Sequence, residues 1–184
     1  MPEPTLPGKV IELAESLEKG KIPFAFGGAI ALAYYATPRA TIDIDLNVFL
    51  PAVDFERVAK NLAVLGIDTA VDRSALERDG QCRLTWGRTP VDLFMANVDF
   101  HEAMAQHTRR QPFGETTIQV LSPEHLLVCK ALFDRPKDWI DIEQVVLTMP
   151  ELKTDEIAAW LGVLAGKRDD RTKRFAAIAR ASRS

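Results

Sequence analysis

Two hydrophobic periods alternate along this chain. After a proline-rich start, Val10, Leu13, Ala14 and Leu17 fall at helical spacing and Gly20 stops the pattern, which predicts an opening amphipathic helix. Ile22 to Phe26 is a short continuous apolar run, the pattern of a buried strand, and the pair Gly27-Gly28 marks a tight turn from strand to helix. Ala29 to Tyr35 predicts an alanine-rich helix packed closely on a sheet and closed by Pro38. Thr41 to Phe49 then predicts a second strand, with Ile42, Ile44 and Leu46 pointing into a core and Asp43 and Asp45 pointing together to the other side. Pro51 and Asp54 begin a helix whose apolar positions Phe55, Val58, Ala59 and Leu62 share one face up to Gly66.

The middle of the chain is less periodic. Ile67 to Asp72 reads as a short strand and Arg78-Asp79-Gly80-Gln81 as a turn. Cys82 to Trp86 alternates like a half-buried strand, and Gly87-Arg88-Thr89-Pro90 turns it back into Val91-Asp92-Leu93-Phe94-Met95 as a hairpin. Asp99 to Gln106 predicts a helix and Thr116 to Leu121 a final strand. Ser122-Pro123-Glu124 opens a helix with a capping serine and a proline at its first position. Arg135-Pro136 interrupts, Lys137 to Leu147 forms a second helix through Ile140, Ile142, Val145 and Val146, and Thr154-Asp155-Glu156 starts a third over Ile157 to Leu164. Gly166 separates that helix from a basic last one through Phe175, Ile178 and Ala179. Strands come first and helices later, so the expected class is α+β: a small mixed sheet flanked by helices, with a C-terminal helical extension. The division expected is a core over residues 1–121 and a helical region over 122–184 packed on it.

Composition narrows the partners only slightly. At 184 residues the chain can bury one sizeable core with a small appendage, and a net charge of −3 offers no general attraction for nucleic acid. Cys82 and Cys129 stand far apart without a ligand-like spacing, which favours inert thiols in a reduced, cytoplasmic compartment. The apolar runs are too short and interrupted for a membrane span, and no secretory leader is expected ahead of Pro2 to Pro7. His101, His107 and His125 fit no metal spacing, and each is read as a helix-surface residue. Trp86, Trp139 and Trp160 are read as core or interface residues.

The acids carry the candidate chemistry. Asp43 and Asp45 are like charges held side by side, each raising the other's pKa, and a divalent cation removes that conflict. Oxygen-only ligands suit Mg²⁺, which takes one or two carboxylates and fills its shell with water and substrate phosphate. Asp92, on a strand beside the first, brings a third acid to the place where the sheet edge meets the glycine turn. Backbone amides at Gly27 and Gly28, at the entrance to a helix, can approach a triphosphate where any side chain would collide. That is the equipment of two-metal phosphoryl transfer.

The order Phe26-Gly27-Gly28, Asp43-Ile44-Asp45, Val91-Asp92-Leu93 resembles the DNA polymerase beta-like nucleotidyltransferase superfamily in its minimal bacterial branch, with a gap from Gly28 to Asp43 slightly longer than usual there. Lys130, followed by Arg135-Pro136-Lys137-Asp138-Trp139-Ile140-Asp141-Ile142, is similar to the lysine and aspartate motifs of the AbiEii-like abortive-infection toxins. Together the resemblance spans roughly residues 22 to 148. It implies a nucleotidyltransferase that moves a nucleoside monophosphate from a nucleoside triphosphate to a hydroxyl on tRNA or protein with Mg²⁺, within a toxin–antitoxin pair that supplies a cognate antitoxin. On that reading Asp43, Asp45 and Asp92 bind metal, Asp92 also activates the acceptor hydroxyl, and Gly27 and Gly28 hold phosphates. Lys130 neutralises the triphosphate, and Asp138 and Asp141 are further site residues.

Plainer readings stand beside each assignment. Gly27-Gly28 is also an ordinary turn, and Asp43 and Asp45 a solvated strand face. Lys130 is also a helix-surface i, i+4 partner of Asp134, and Asp138 is favoured near a helix N-terminus by the dipole alone. Arg39 either reaches a phosphate or covers apolar surface. The basic tail of Lys167, Arg168, Arg171, Lys173, Arg174, Arg180 and Arg183 is either solvated or an RNA-backbone contact. The rival function is a nucleotide-binding or scaffold module of the same fold without turnover.

Overall fold

The structure, a computed structural model, describes residues 3–182. Pro2 of the proline-rich start and Arg183 of the basic tail lie outside them. The chain divides into two compact units, one reaching to Ile30 and resuming over Ala40–Val120, the other taking Ala31–Arg39 and the chain from Leu121 onward.

The first unit opens with helix α1 (Leu6–Lys19), capped by Thr5, whose hydroxyl accepts the Gly8 amide at 3.4 Å. Its buried stripe is the one predicted, Val10, Leu13, Ala14 and Leu17. Strand β1 (Phe24–Phe26) is fully buried, and the Phe24 and Phe26 rings meet edge to face at 5.7 Å. The short helix α2 (Gly28–Leu32) follows, then strand β2 (Ile44–Pro51), a 3₁₀ turn (Ala52–Asp54) and helix α3 (Phe55–Ala63). Helix α4 (Arg73–Asp79), strands β3 (Gln81–Trp86) and β4 (Thr89–Ala96), helix α5 (Asp99–Gln106) and strands β5 (Arg109–Phe113) and β6 (Thr116–Val120) complete the unit.

The six strands form one mixed sheet in the order β3-β4-β2-β1-β6-β5. The β2–β4 and β1–β6 pairs are parallel and the other three antiparallel. Ile44, Leu46 and Val48 of β2 and Val91, Leu93 and Met95 of β4 are completely buried. With period 2, this leaves Asp45 and Asp92 on the opposite face.

Several expectations need correction. The carboxylate strand begins at Ile44, so Asp43 lies just outside it, and Ile42 is 74% exposed instead of packed in the core. The glycine-turn helix stops at Leu32, three residues short of Tyr35. Ile67 to Asp72 contributes a single bridge from Asp68 to Thr85 and no strand. Arg78 and Asp79 end α4, where Gly80 provides the left-handed cap at φ 67. Strand β5, with a proline and two arginines on the sheet edge, had no apolar signal to announce it.

The second unit is helical. Helix α6 (Pro123–Phe133) is capped by Ser122 and ends on Asp134 at φ 55, and helix α7 (Pro136–Thr148) starts after Arg135. Helix α8 (Thr154–Leu161) runs into a π-turn over Gly162–Gly166, and helix α9 (Asp170–Ala181) carries Phe175 into the core. His125 is buried with its Nδ1 2.7 Å from the Ser122 hydroxyl, not on the helix surface as expected, and Ile140 is exposed. Arg174 lies 4.4 Å from the centre of the buried Trp139 ring, and Arg171 is engaged by Asp169, whose carboxyl that guanidinium holds down at about 2. Part of the basic tail is therefore internally paired. Among the described residues no helix is long and apolar enough to cross a membrane.

Candidate active site

In the first unit, the acids are placed by strand pairing. β2 and β4 run parallel with Asp45 opposite Asp92, so the two residues occupy neighbouring positions roughly 5 Å apart on the same face of the sheet. Asp43 precedes the strand by one residue and is fixed by Thr41, whose hydroxyl accepts the Asp43 amide and donates to its carbonyl, both at 3.2 Å. All three acids are partly exposed.

The glycine turn is docked against this pair. The Gly27 amide donates to the Asp45 carbonyl at 2.9 Å, and Gly28 has φ +51. A Cβ built on Gly28 would overlap the Asp45 carboxylate. Two constraints therefore act at one residue: a left-handed backbone and a carboxylate where any side chain would start.

Arg83 is the site residue that sequence reasoning missed. Its Nε donates to Asp92 Oδ1 at 2.7 Å and its Nη2 to Oδ2 at 2.9 Å. This pairing raises the Arg83 pKa, through the hydrogen bond to Asp92 first and the Asp92 charge next, with smaller contributions from Asp43 and Asp45. Cys82 lies beside it, and burial, with help from the Asp92 charge, pushes its thiol up to about 11, so the thiolate is scarce at neutral pH.

Asp43, Asp45 and Asp92 offer oxygen ligands only, the donor type that a hard divalent cation such as Mg²⁺ takes. Among the described residues no three His, Cys, Asp or Glu side chains form a ready-made metal cage. Mg²⁺ does not require one, because substrate phosphate and water complete its shell.

In the second unit, Lys130, Asp138 and Asp141 form a buried charge network. The Lys130 ammonium donates to Asp141 Oδ2 at 2.7 Å and to Asp138 Oδ1 at 3.4 Å. Arg39 reaches Asp141 Oδ2 at 3.2 Å, and Arg135 holds both Asp138 oxygens at 2.6 and 3.2 Å. Lys130 is 3% exposed and Asp138 not at all, which rules out the helix-surface pairing with Asp134. Asp134 instead accepts the Trp139 indole N–H at 2.7 Å.

A family model for the nucleotidyl transferase AbiEii toxin, of type IV toxin–antitoxin systems, matches residues 12–182. The chain belongs to this family. It is accordingly a nucleotidyltransferase, from a family defined by a toxin–antitoxin context. Among solved structures, a crystal structure of ANT(2'')-Ia in complex with adenylyl-2''-tobramycin is similar over 98% of each chain, with a TM-score of 0.60 and 14% identity. A solution structure of the antibiotic-resistance factor ANT(2'')-Ia is similar over 95% of this chain and 89% of that one, with a TM-score of 0.55 and 14% identity. A crystal structure of an inferred nucleotidyltransferase from H. pylori is similar over 96% and 92%, with a TM-score of 0.52 and 14% identity. At such identities the likeness establishes the shared fold. No curated protein sequence matches the chain.

Gly28→Ala should lower stability by about 1–3 kcal/mol through the left-handed backbone and displace Asp45; urea denaturation unchanged from the parent would contradict the close approach. Lys130→Ala should cost about 3–5 kcal/mol, because it leaves two buried carboxylates without their shared cation. Full stability of that variant in the same denaturation would show that the network is not structural.

Proposed function

We propose that this nucleotidyltransferase moves a nucleoside monophosphate from a nucleoside triphosphate to a hydroxyl on tRNA or protein, with Mg²⁺ held by Asp43, Asp45 and Asp92. The observation that carries this reading is the in-register placement of Asp45 beside Asp92, with the bare Gly28 backbone lying against Asp45. Bound there, Mg²⁺ would neutralise the phosphates and lower the pKa of an attacking hydroxyl.

The chain's own residues divide the remaining work. The Gly27-Gly28 turn presents backbone to the triphosphate at a point where a side chain has no room. The acceptor oxygen attacks the α-phosphorus, the bond from that phosphorus to the bridging oxygen of the β-phosphate breaks, and pyrophosphate leaves. Asp92 takes the hydroxyl proton as general base. A fold neighbour holding an adenylylated product is in keeping with this type of transfer.

For Lys130, Asp138 and Asp141 we propose a positioning role in place of direct contact with phosphate. Their charges are buried and mutually satisfied, a state that favours rigidity of the segment around Arg39. The family context favours a cytoplasmic enzyme with a cognate antitoxin as partner.

Asp45→Asn should reduce label transfer from an α-³²P nucleoside triphosphate by at least about 100-fold while the thermal melt stays close to that of the parent. Treating the labelled product of a cell extract with ribonuclease or protease identifies the acceptor class. Undiminished transfer by Asp45→Asn would overturn the proposed metal role.

A further inference from the structure

The third acid already has a cation on it. The two-point contact between Arg83 and Asp92 is the fork-to-fork arrangement that gives guanidinium–carboxylate pairs their strength and direction. It is built by pairing on both sides of β4. Arg83 of β3 stands opposite Asp92, and Asp92 stands opposite Asp45 of β2, so the three residues form one row across three strands. Asp43 lies close enough, like Asp45, for its charge to act on the same guanidinium.

Exposure is unequal within the pair, at 63% for the Arg83 side chain and 23% for that of Asp92. The guanidinium is thus the wetter partner and can turn away into solvent without opening a void, whereas the carboxylate is anchored in the sheet. A divalent cation arriving on Asp92 meets a positive charge bound to both of that residue's oxygens.

We propose that Arg83 is a resident cation competing with a divalent metal for Asp92, so that metal loading of the third acid requires Arg83 to let go. The proposal rests on the metal reading above and deepens it. Without metal, Arg83 is the positive charge held on the row of acids, through both oxygens of Asp92. Asp92 changes partner only when a second positive charge displaces the guanidinium.

The test is Mn²⁺ binding to the nucleotide-free protein, followed by electron paramagnetic resonance, for the parent, Arg83→Gln, Asp45→Asn and the double variant Arg83→Gln/Asp92→Asn. Arg83 is mostly in solvent, so its replacement is expected to leave the fold intact, and circular dichroism checks this directly. Removing a competing exposed charge should tighten Mn²⁺ binding roughly 5-fold, and the gain should vanish in the double variant. Equal affinity of the parent and Arg83→Gln, with binding weakened by Asp45→Asn, overturns the competition and leaves the metal reading standing. A gain that persists in the double variant overturns the competition for Asp92 as well. Binding that ignores Asp45→Asn overturns the metal reading and the inference with it.

Discussion

Asp45 and Asp92 stand side by side on adjacent parallel strands, and the first unit is arranged so that they remain there. Two carboxylates at that spacing repel each other, and the repulsion by itself favours slippage or an acquired cation. Slippage is opposed by the six buried side chains on the reverse of the same two strands. Moving either strand by one residue would turn Ile44, Leu46 and Val48, or Val91, Leu93 and Met95, toward solvent. At about 1.5–3 kcal/mol for each such side chain, the apolar face outweighs the repulsion between partly exposed acids many times over. The register is thus enforced from the core, and Arg83 sets a positive charge against the pair through both oxygens of Asp92.

The second unit treats charge in the opposite way. Lys130, Asp138 and Asp141 are taken out of water, and Arg39 and Arg135 close the network from its wetter side. A buried network of this kind adds little net stability compared with apolar packing, but breaking it is costly, so it fixes geometry. The same residue types in the first unit stay partly exposed, as chemistry with a soluble substrate requires. The contrast explains why Asp92 and Asp141, both flanked by apolar residues in the sequence, have different physical roles.

The legibility of the sequence followed periodicity. The stripes of α1 and α3, the hairpin of β3 and β4, and the start of α6 at Ser122-Pro123 were all visible because each leaves a local signature. The glycine turn and the three acids could be picked out by their order along the chain. Placing Asp45 beside Asp92 was a different matter, since a parallel register between strands more than forty residues apart is set by the core and has no local mark. Arg83 was closer to reach. A turn centred on Gly87 and Arg88 pairs Trp86 with Thr89 and, three steps on, Arg83 with Asp92, but the longer turn assumed through Pro90 hid that match. Helix α4 was missed because its polar run read as a turn, and the burial of Lys130 because its partners come from the following helix and from Arg39. Ile42 misled by its company, an apolar residue in an alternating run that sits outside the strand and in solvent.

The most direct trial of the whole account is a crystal structure with a nonhydrolysable nucleoside triphosphate and Mn²⁺, using the anomalous signal to locate the ion. The account predicts an anomalous peak in direct contact with the carboxylates of Asp43 and Asp45, with the triphosphate along the Gly27-Gly28 backbone. A nucleotide bound elsewhere, or an ion that touches neither of those carboxylates, would contradict it.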